Sequence, residues 1–217
     1  MTRPHTRSLA AAALLAAGMA AAMPAAAQEH HHDTPQAAPV ARPDTARWTA
    51  ADVHFMSSMI GHHAQAIVMS RLAPTHGASA SVQTLAARII NAQQDEIATM
   101  QQWLRDRGQP VPDPAAPMHM EMGGMQHEML MPGMLTDAQM AELEHATGSE
   151  FDRLFLTFMI QHHRGATQMV QQLFGSWGAG QDETVFKFAS DVNVDQTTEI
   201  DRMQRMLASV VFGAPAP

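Results

Sequence analysis

The 217-residue chain contains no cysteine and no tyrosine. Without cysteine it has no lipid-anchoring thiol, no structural disulfide and no thiolate metal site. A membrane span needs about 20 consecutive apolar residues, and no stretch here qualifies. The nearest approach, Ser8 to Met23, is too short. Basic residues are scarce, 13 Lys plus Arg against 21 Asp plus Glu, for a formal charge of −8. Losing Arg3 and Arg7 with an N-terminal leader would take −8 to −10, a balance that argues against nucleic acid or anionic lipid as partners. Arg3 and Arg7 are not adjacent, so a twin-arginine route has no support. They do form a basic head before the apolar run, which Pro24 and Ala25-Ala26-Ala27 close. Basic head, short apolar run and small-residue site predict a cleavable secretory signal over 1–27, cut after Ala27. The mature protein is expected in the periplasm or outside the cell.

Two residue types are over-supplied. There are 19 Met, and 13 His, as many as all Lys and Arg together. Residues 28–47 are rich in Pro, Ala and Gln around His30-His31-His32 and read as a disordered start. Helical periodicity begins near Thr49 and runs to about Leu72, where Pro74 and Gly77 end it. Ser79 or Ser81 caps a second helix reaching about Arg107, before Gly108 and Pro110. The stretch 109–135 is a linker of Pro, Gly and Met. Thr136-Asp137 opens a short helix to about Thr147, a long helix follows from Glu150 to Phe174, and a last one spans about Glu183 to Val211. No segment shows the alternation of a half-buried strand. The class is all-α, in one domain over 48–212.

An internal repeat organises that domain. A shift of one hundred residues superimposes Asp52/Asp152, Phe55/Phe155, Met59/Met159, Ile60/Ile160, His62/His162, His63/His163, Ala66/Ala166 and Met69/Met169. At a slightly larger offset Gln93, Glu96, Ile97, Met100 and Leu104 match Gln196, Glu199, Ile200, Met203 and Leu207. Each copy, 49–107 and 136–211, is therefore a helical hairpin that cannot bury its apolar face alone. Two such hairpins predict a ferritin-like four-helix bundle with a pseudo-twofold relation, joined by the Met-rich connection.

On a helix at about 100° per residue, Phe55, Met59, His62, His63, Ala66 and Met69 share one broad stripe, with Asp52 and Met56 at its edge. Phe155, Met159, His162, His163, Ala166 and Met169 repeat it. Met59 and Met159 stand three and four residues before their histidines, so each trio can approach one centre. Imidazole suits copper, zinc and nickel, and thioether favours Cu(I). A Met stripe alone would be ordinary packing, but four imidazoles in one bundle are costly to bury without a partner. Glu96 and Glu199, on the apolar stripes beside Met100 and Met203, would ligate a metal, orient a histidine, or simply face water at the bundle end.

The connection holds Met118, Met120, Met122, Met125, Met129, Met131 and Met134 with His119 and His127. Exposed methionine has little structural use and is open to oxidation, so an aperiodic segment of this kind reads as soft-metal capture. Cleavage after Ala27 would leave Gln28-Glu29-His30. A free amine with His30 at position three offers a square-planar site for Cu(II) or Ni(II), which cyclisation of Gln28 would remove.

The pattern Asp-x-x-Phe-x-x-x-Met-Ile-x-His-His-x-x-Ala followed by Gln-x-x-Glu-Ile-x-x-Met resembles the DUF305 family of exported bacterial proteins. Asp52 to Leu104 and Phe151 to Leu207 carry it, and the second copy is the closer match. The first copy departs at Val53-His54, Gly61 and Ala64-Gln65. The resemblance implies a ferritin-type bundle, copper binding and a part in copper resistance, with Met59, His62, His63, Met159, His162 and His163 as ligands.

The expected function is thus non-enzymatic binding of copper, chiefly Cu(I), for buffering, sequestration or delivery to other exported copper-handling proteins. Two alternatives stand beside it. A ferritin-like di-metal oxidase would use Glu-x-x-His on core helices, which this chain lacks. A metal-free helical interaction module would leave the histidines incidental.

Overall fold

Thr49 starts the first helix with a reciprocal cap. Its side chain accepts from the Asp52 amide, and the Asp52 carboxylate accepts from the Thr49 amide at 2.6 Å, satisfying two of the donors a helix start leaves free. The computed structural model describes residues 48–115, 119–122, 125–128 and 130–213. Its elements in order are α1 (Ala50–Leu72), α2 (Ala80–Asp106), β1 (His119–Met122), β2 (Met125–Glu128), α3 (Asp137–His145), α4 (Gly148–Gly175) and α5 (Glu183–Phe212). Ser79, Thr136 and Asp182 cap α2, α3 and α5 through their side chains. The short helix α3 stops at His145 rather than Thr147, because Ala146 and Thr147 turn extended to start α4. No described helix is long and apolar enough to cross a membrane.

Apart from one small ribbon, the fold is all-α, as the sequence predicts. The ribbon corrects the reading of 109–135 as wholly aperiodic. β1 and β2 pair antiparallel, with Met120 opposite His127 and Met122 opposite Met125. Part of the signal was present in sequence: Gly123-Gly124 is a hairpin dipeptide, and His119 to Met122 before it alternates polar and apolar, although Met125 to Glu128 after it does not.

The helices α1/α2 and α4/α5 form two hairpins that pack through α1 and α4. Their relative direction follows from two buried carboxylates. Asp52, at the start of α1, accepts from the Gly180 amide in the α4–α5 turn at 2.7 Å. Asp152, at the start of α4, accepts from the Ser79 amide in the α1–α2 turn at 3.1 Å. Each hairpin thus latches the other's turn, and α1 and α4 run antiparallel. Asp52 and Met56, expected at the edge of the stripe, are both fully buried, Asp52 because the opposite turn closes over it.

This arrangement divides the interior. One apolar cluster joins the late part of α1 and early α2 to early α4 and late α5, around Met69, Leu85, Phe151, Phe155, Met159 and Met203. The other joins early α1 and late α2 to late α4 and early α5, around Phe55, Met59, Met100, Met169 and Val185. Between them, at mid-length of α1 and α4, lie His62, His63, His162 and His163, all buried, with buried Gln93 and Gln196. The bundle is two apolar halves separated by a polar layer.

Candidate metal centre

The four histidines form that layer. Across the pseudo-twofold, the rings of His62 and His162 meet with centroids 3.8 Å apart and planes tilted by 38°. Within each pair the rings are 6.3 Å apart, because successive helical positions point about 100° apart. His63 and His163 instead reach α2 and α5. His63 Nε2 lies 2.9 Å from Glu96 Oε2, close but poorly aligned, and His163 Nε2 donates to Glu199 Oε2 at 2.8 Å. Both glutamates are slightly open to solvent, at 18% and 19%.

The third held nitrogen belongs to the connection. His62 Nε2 donates to the Pro132 carbonyl at 3.0 Å, and that oxygen can only accept. The segment Pro132–Leu135 is strapped onto the bundle. Gln65 holds both the amide and the carbonyl of Leu135, at 2.8 and 2.9 Å, and Gln161 donates to the Gly133 carbonyl at 3.3 Å. Gly165 makes room for it: a Cβ there would fall 1.8 Å from the Pro132 carbonyl oxygen.

One consequence is shared by all four rings. The Nδ1 atoms of His62, His63, His162 and His163 are buried and have no hydrogen-bond partner. In His62 and His163 the Nε2 proton is committed to an oxygen acceptor, and in His63 a carboxylate stands beside Nε2, so the lone pair sits on Nδ1. His162 is unpartnered at both nitrogens; the nearby His62 carbonyl lacks hydrogen-bond geometry. A metal-binding imidazole typically has its other nitrogen held by a carboxylate or carbonyl; His62 and His163 are held in this way, His63 has a carboxylate beside Nε2, and His162 has no such partner. Glu96 and Glu199 therefore stand as orienting partners of His63 and His163.

Burial, reinforced by neighbouring histidines, lowers the His62 pKa to about 3 and holds His162 well below its usual value. Both rings are neutral at physiological pH. A base with a folded pKa below its unfolded one leaves the unfolded chain binding the extra proton. Stability is then constant above about pH 6.5 and falls as pH drops from there toward 3. Between pH 6.5 and 5 this amounts to about 2 kcal/mol for His62. Denaturant titration of the metal-free protein at pH 5, 6 and 7 should show a steeper loss in wild type than in His62→Ala. Parallel curves would mean that His62 is protonated in the folded state.

The structure separates some residues that the sequence grouped. Met59 and Met169 belong to one apolar cluster, Met159 and Met69 to the other. The antiparallel pseudo-twofold thus sets Met59 and Met159 on opposite sides of the histidine layer, one for each trio. Among the described residues, no three His, Asp or Glu side chains converge on a point that could hold an ion. Met134, within the strap, is buried, and half-buried Met131 packs on the Met59 cluster. Of His119, Met120, Met122, Met125 and His127 only the strand pairing is described. Residues 1–47, with the cleavage site and His30, and also Met118 and Met129, lie outside the described residues.

The sequence reading did not single out the Pro132 carbonyl, Gln65 and Gln161. Gln93 and Gln196 were visible in the repeat, but nothing in sequence marked them as part of the polar layer.

Comparison with known proteins agrees with this architecture. No functionally curated protein matches the chain. A DUF305 protein from Streptomyces coelicolor superimposes with TM-score 0.62 at 29% identity, over 74% of this chain and 94% of its own. A DUF305 fragment from Deinococcus radiodurans gives 0.62 at 28%, over 74% and 97%. CopM in its Cu(I)-bound form gives 0.54 at 27%, over 73% and 95%, and its Cu(II)-bound form 0.55 at 28%, over 73% and 96%. The family model described as a domain of unknown function, DUF305, matches residues 52–207, a span that takes in both hairpins and the connection, and the chain belongs to that family.

Proposed function

We propose that the protein is an exported, non-enzymatic copper-binding protein that holds Cu(I) at the buried histidine layer and captures it on the Met-rich connection. The carrying observation is the set of four buried Nδ1 atoms left without partners. Leaving such acceptors unsatisfied costs about 1–3 kcal/mol each, and a metal would relieve it. The candidate ligands are those nitrogens of His62, His63, His162 and His163, with the thioethers of Met59 and Met159 available from the flanking clusters. Similarity to CopM, solved with copper in both oxidation states, supports the choice of metal. The donor chemistry supports Cu(I): imidazole and thioether suit a soft ion, whereas calcium and magnesium take about six or more oxygens.

Buffering or delivery, rather than turnover, fits a site closed by the strap and by two apolar clusters. The test is native protein purified from a periplasmic extract without tags or added metal. Copper should be bound, and the intact mass should lack residues 1–27. Metal-free protein would overturn the copper reading, and a mass retaining the leader would overturn export by cleavage.

A further inference from the structure

The strap shuts the histidine layer on the face formed by α1 and α4, so a metal needs another way in. On the opposite side, α2 and α5 leave a groove of about 250 Å³ lined by Gln93, Gln196, Glu96, Glu199, Asp195, Ala92 and one cation, Arg88. It adjoins a larger one of about 490 Å³ that shares Glu96 and Asp195 and adds Asp95, Glu183 and Asp191. Lys187, the cation there, is paired with Asp191. The wall is thus strongly acidic.

Two features make this more than a solvated charge cluster. Gln93 is 2% exposed, lines the groove, and has its Oε1 buried without any partner. Glu96 and Glu199 span the wall, contacting on their inner side the otherwise inaccessible His63 and His163. Burial first, then the charges of Glu96, Asp191 and Glu199, push the Asp195 carboxyl above its usual range. These carboxylates outnumber the two cations that line the grooves, Arg88 and Lys187.

We infer that the α2–α5 groove is the route by which the metal cation reaches the histidine layer, with Asp195 and Asp191 drawing it in and Glu96 and Glu199 passing it to His63 and His163. This rests on the copper-binding reading and adds the path. A cleft of one charge sign raises cation on-rates by about 10- to 1,000-fold, an effect that salt erodes. Asp191 and Asp195 make no contact with the histidines among the described interactions, so neutralising them alters approach but leaves the binding site intact.

The experiment is stopped-flow uptake of Cu(I), added as its acetonitrile complex, by the full chain and two variants. Asp191→Asn/Asp195→Asn should slow association about tenfold at low salt, with little difference from wild type at high salt. Ala92→Trp, which fills the groove from the exposed face of α2, should slow uptake at every salt concentration. In both, the equilibrium affinity from chelator competition should stay within about twofold of wild type, because loading and release slow together. Wild-type rates in both variants would overturn the route while leaving copper binding intact. A fall in affinity that accounts for the whole effect would make the groove part of the binding site and would likewise overturn it. A wild-type chain that takes up no Cu(I) would instead overturn the copper reading itself.

Discussion

Alanine at both His162 and His163 is expected to leave a folded protein that has lost at least one high-affinity Cu(I) site. The two rings differ in kind. His162 is buried with both nitrogens unpartnered, whereas His163 has Nε2 held by Glu199 and Nδ1 unpartnered. Orienting partners alone are worth about 10- to 100-fold in metal affinity, so losing two ligands should exceed about 100-fold. The fold should survive, because both apolar clusters are untouched and each imidazole carries a desolvation cost that its removal cancels. The cavity left behind works in the opposite direction. Competition with a Cu(I) chelator decides the matter, with Met118 to Met134 deleted from both proteins to remove capture by the connection. That background also removes the His62–Pro132 contact, so the comparison is variant against wild type within it. Equal affinity and stoichiometry would make the paired histidines packing groups.

Gly165→Ala is expected to be the most damaging small substitution in the chain. A Cβ at this position meets backbone on the strap: the Pro132 oxygen at 1.8 Å, its carbon at 2.4 Å and Gly133 Cα at 2.7 Å. No rotamer change relieves a backbone clash, so the strap must lift. The His62–Pro132 bond and the glutamine clamps go with it. Overpacking of this kind costs about 1–3 kcal/mol, and lost hydrogen bonds that leave buried partners add to it. At about 2–4 °C per kcal/mol for a chain of this size, Tm should fall by about 10 °C. The control is Gly175→Ala in the same helix, where an added Cβ meets nothing within 4 Å; there the helix propensity of alanine should leave stability unchanged or raised by up to about 1 kcal/mol. If the two variants melt together, the strap is not held against α4 in solution.

These residues also mark how far sequence alone reaches. The repeat was legible because helical stripes and their offsets survive in one dimension: Met59/Met159, His62/His162 and Gln93/Gln196 announce two hairpins and an inward-facing polar pair. A glycine inside a helix, such as Gly165, does not by itself show what approaches it; here the partner is the connection, not a helix. That contact joins positions 33 residues apart and leaves no periodic trace. The burial of Asp52 and Asp152 was not legible, because their partners, Gly180 and Ser79, are backbone amides in distant turns. The separation of Met59 from Met159 was hidden for a related reason. Spacing within a helix shows which residues share a face, but the antiparallel docking of α1 on α4 decides which clusters they join. The small ribbon leaves only a faint trace in sequence, because Met125 to Glu128 does not alternate and the Gly-Gly dipeptide alone does not specify a hairpin.

The reciprocal latches of Asp52 and Asp152 bear on how the protein comes to be at all. Each hairpin supplies the anion that completes the other's turn, so neither half is finished until both are present. Viewed this way the molecule is a homodimer written on one chain. The single connection is what breaks that symmetry. It lies across one face, where it caps His62 but not His162, and so makes two otherwise equivalent halves different.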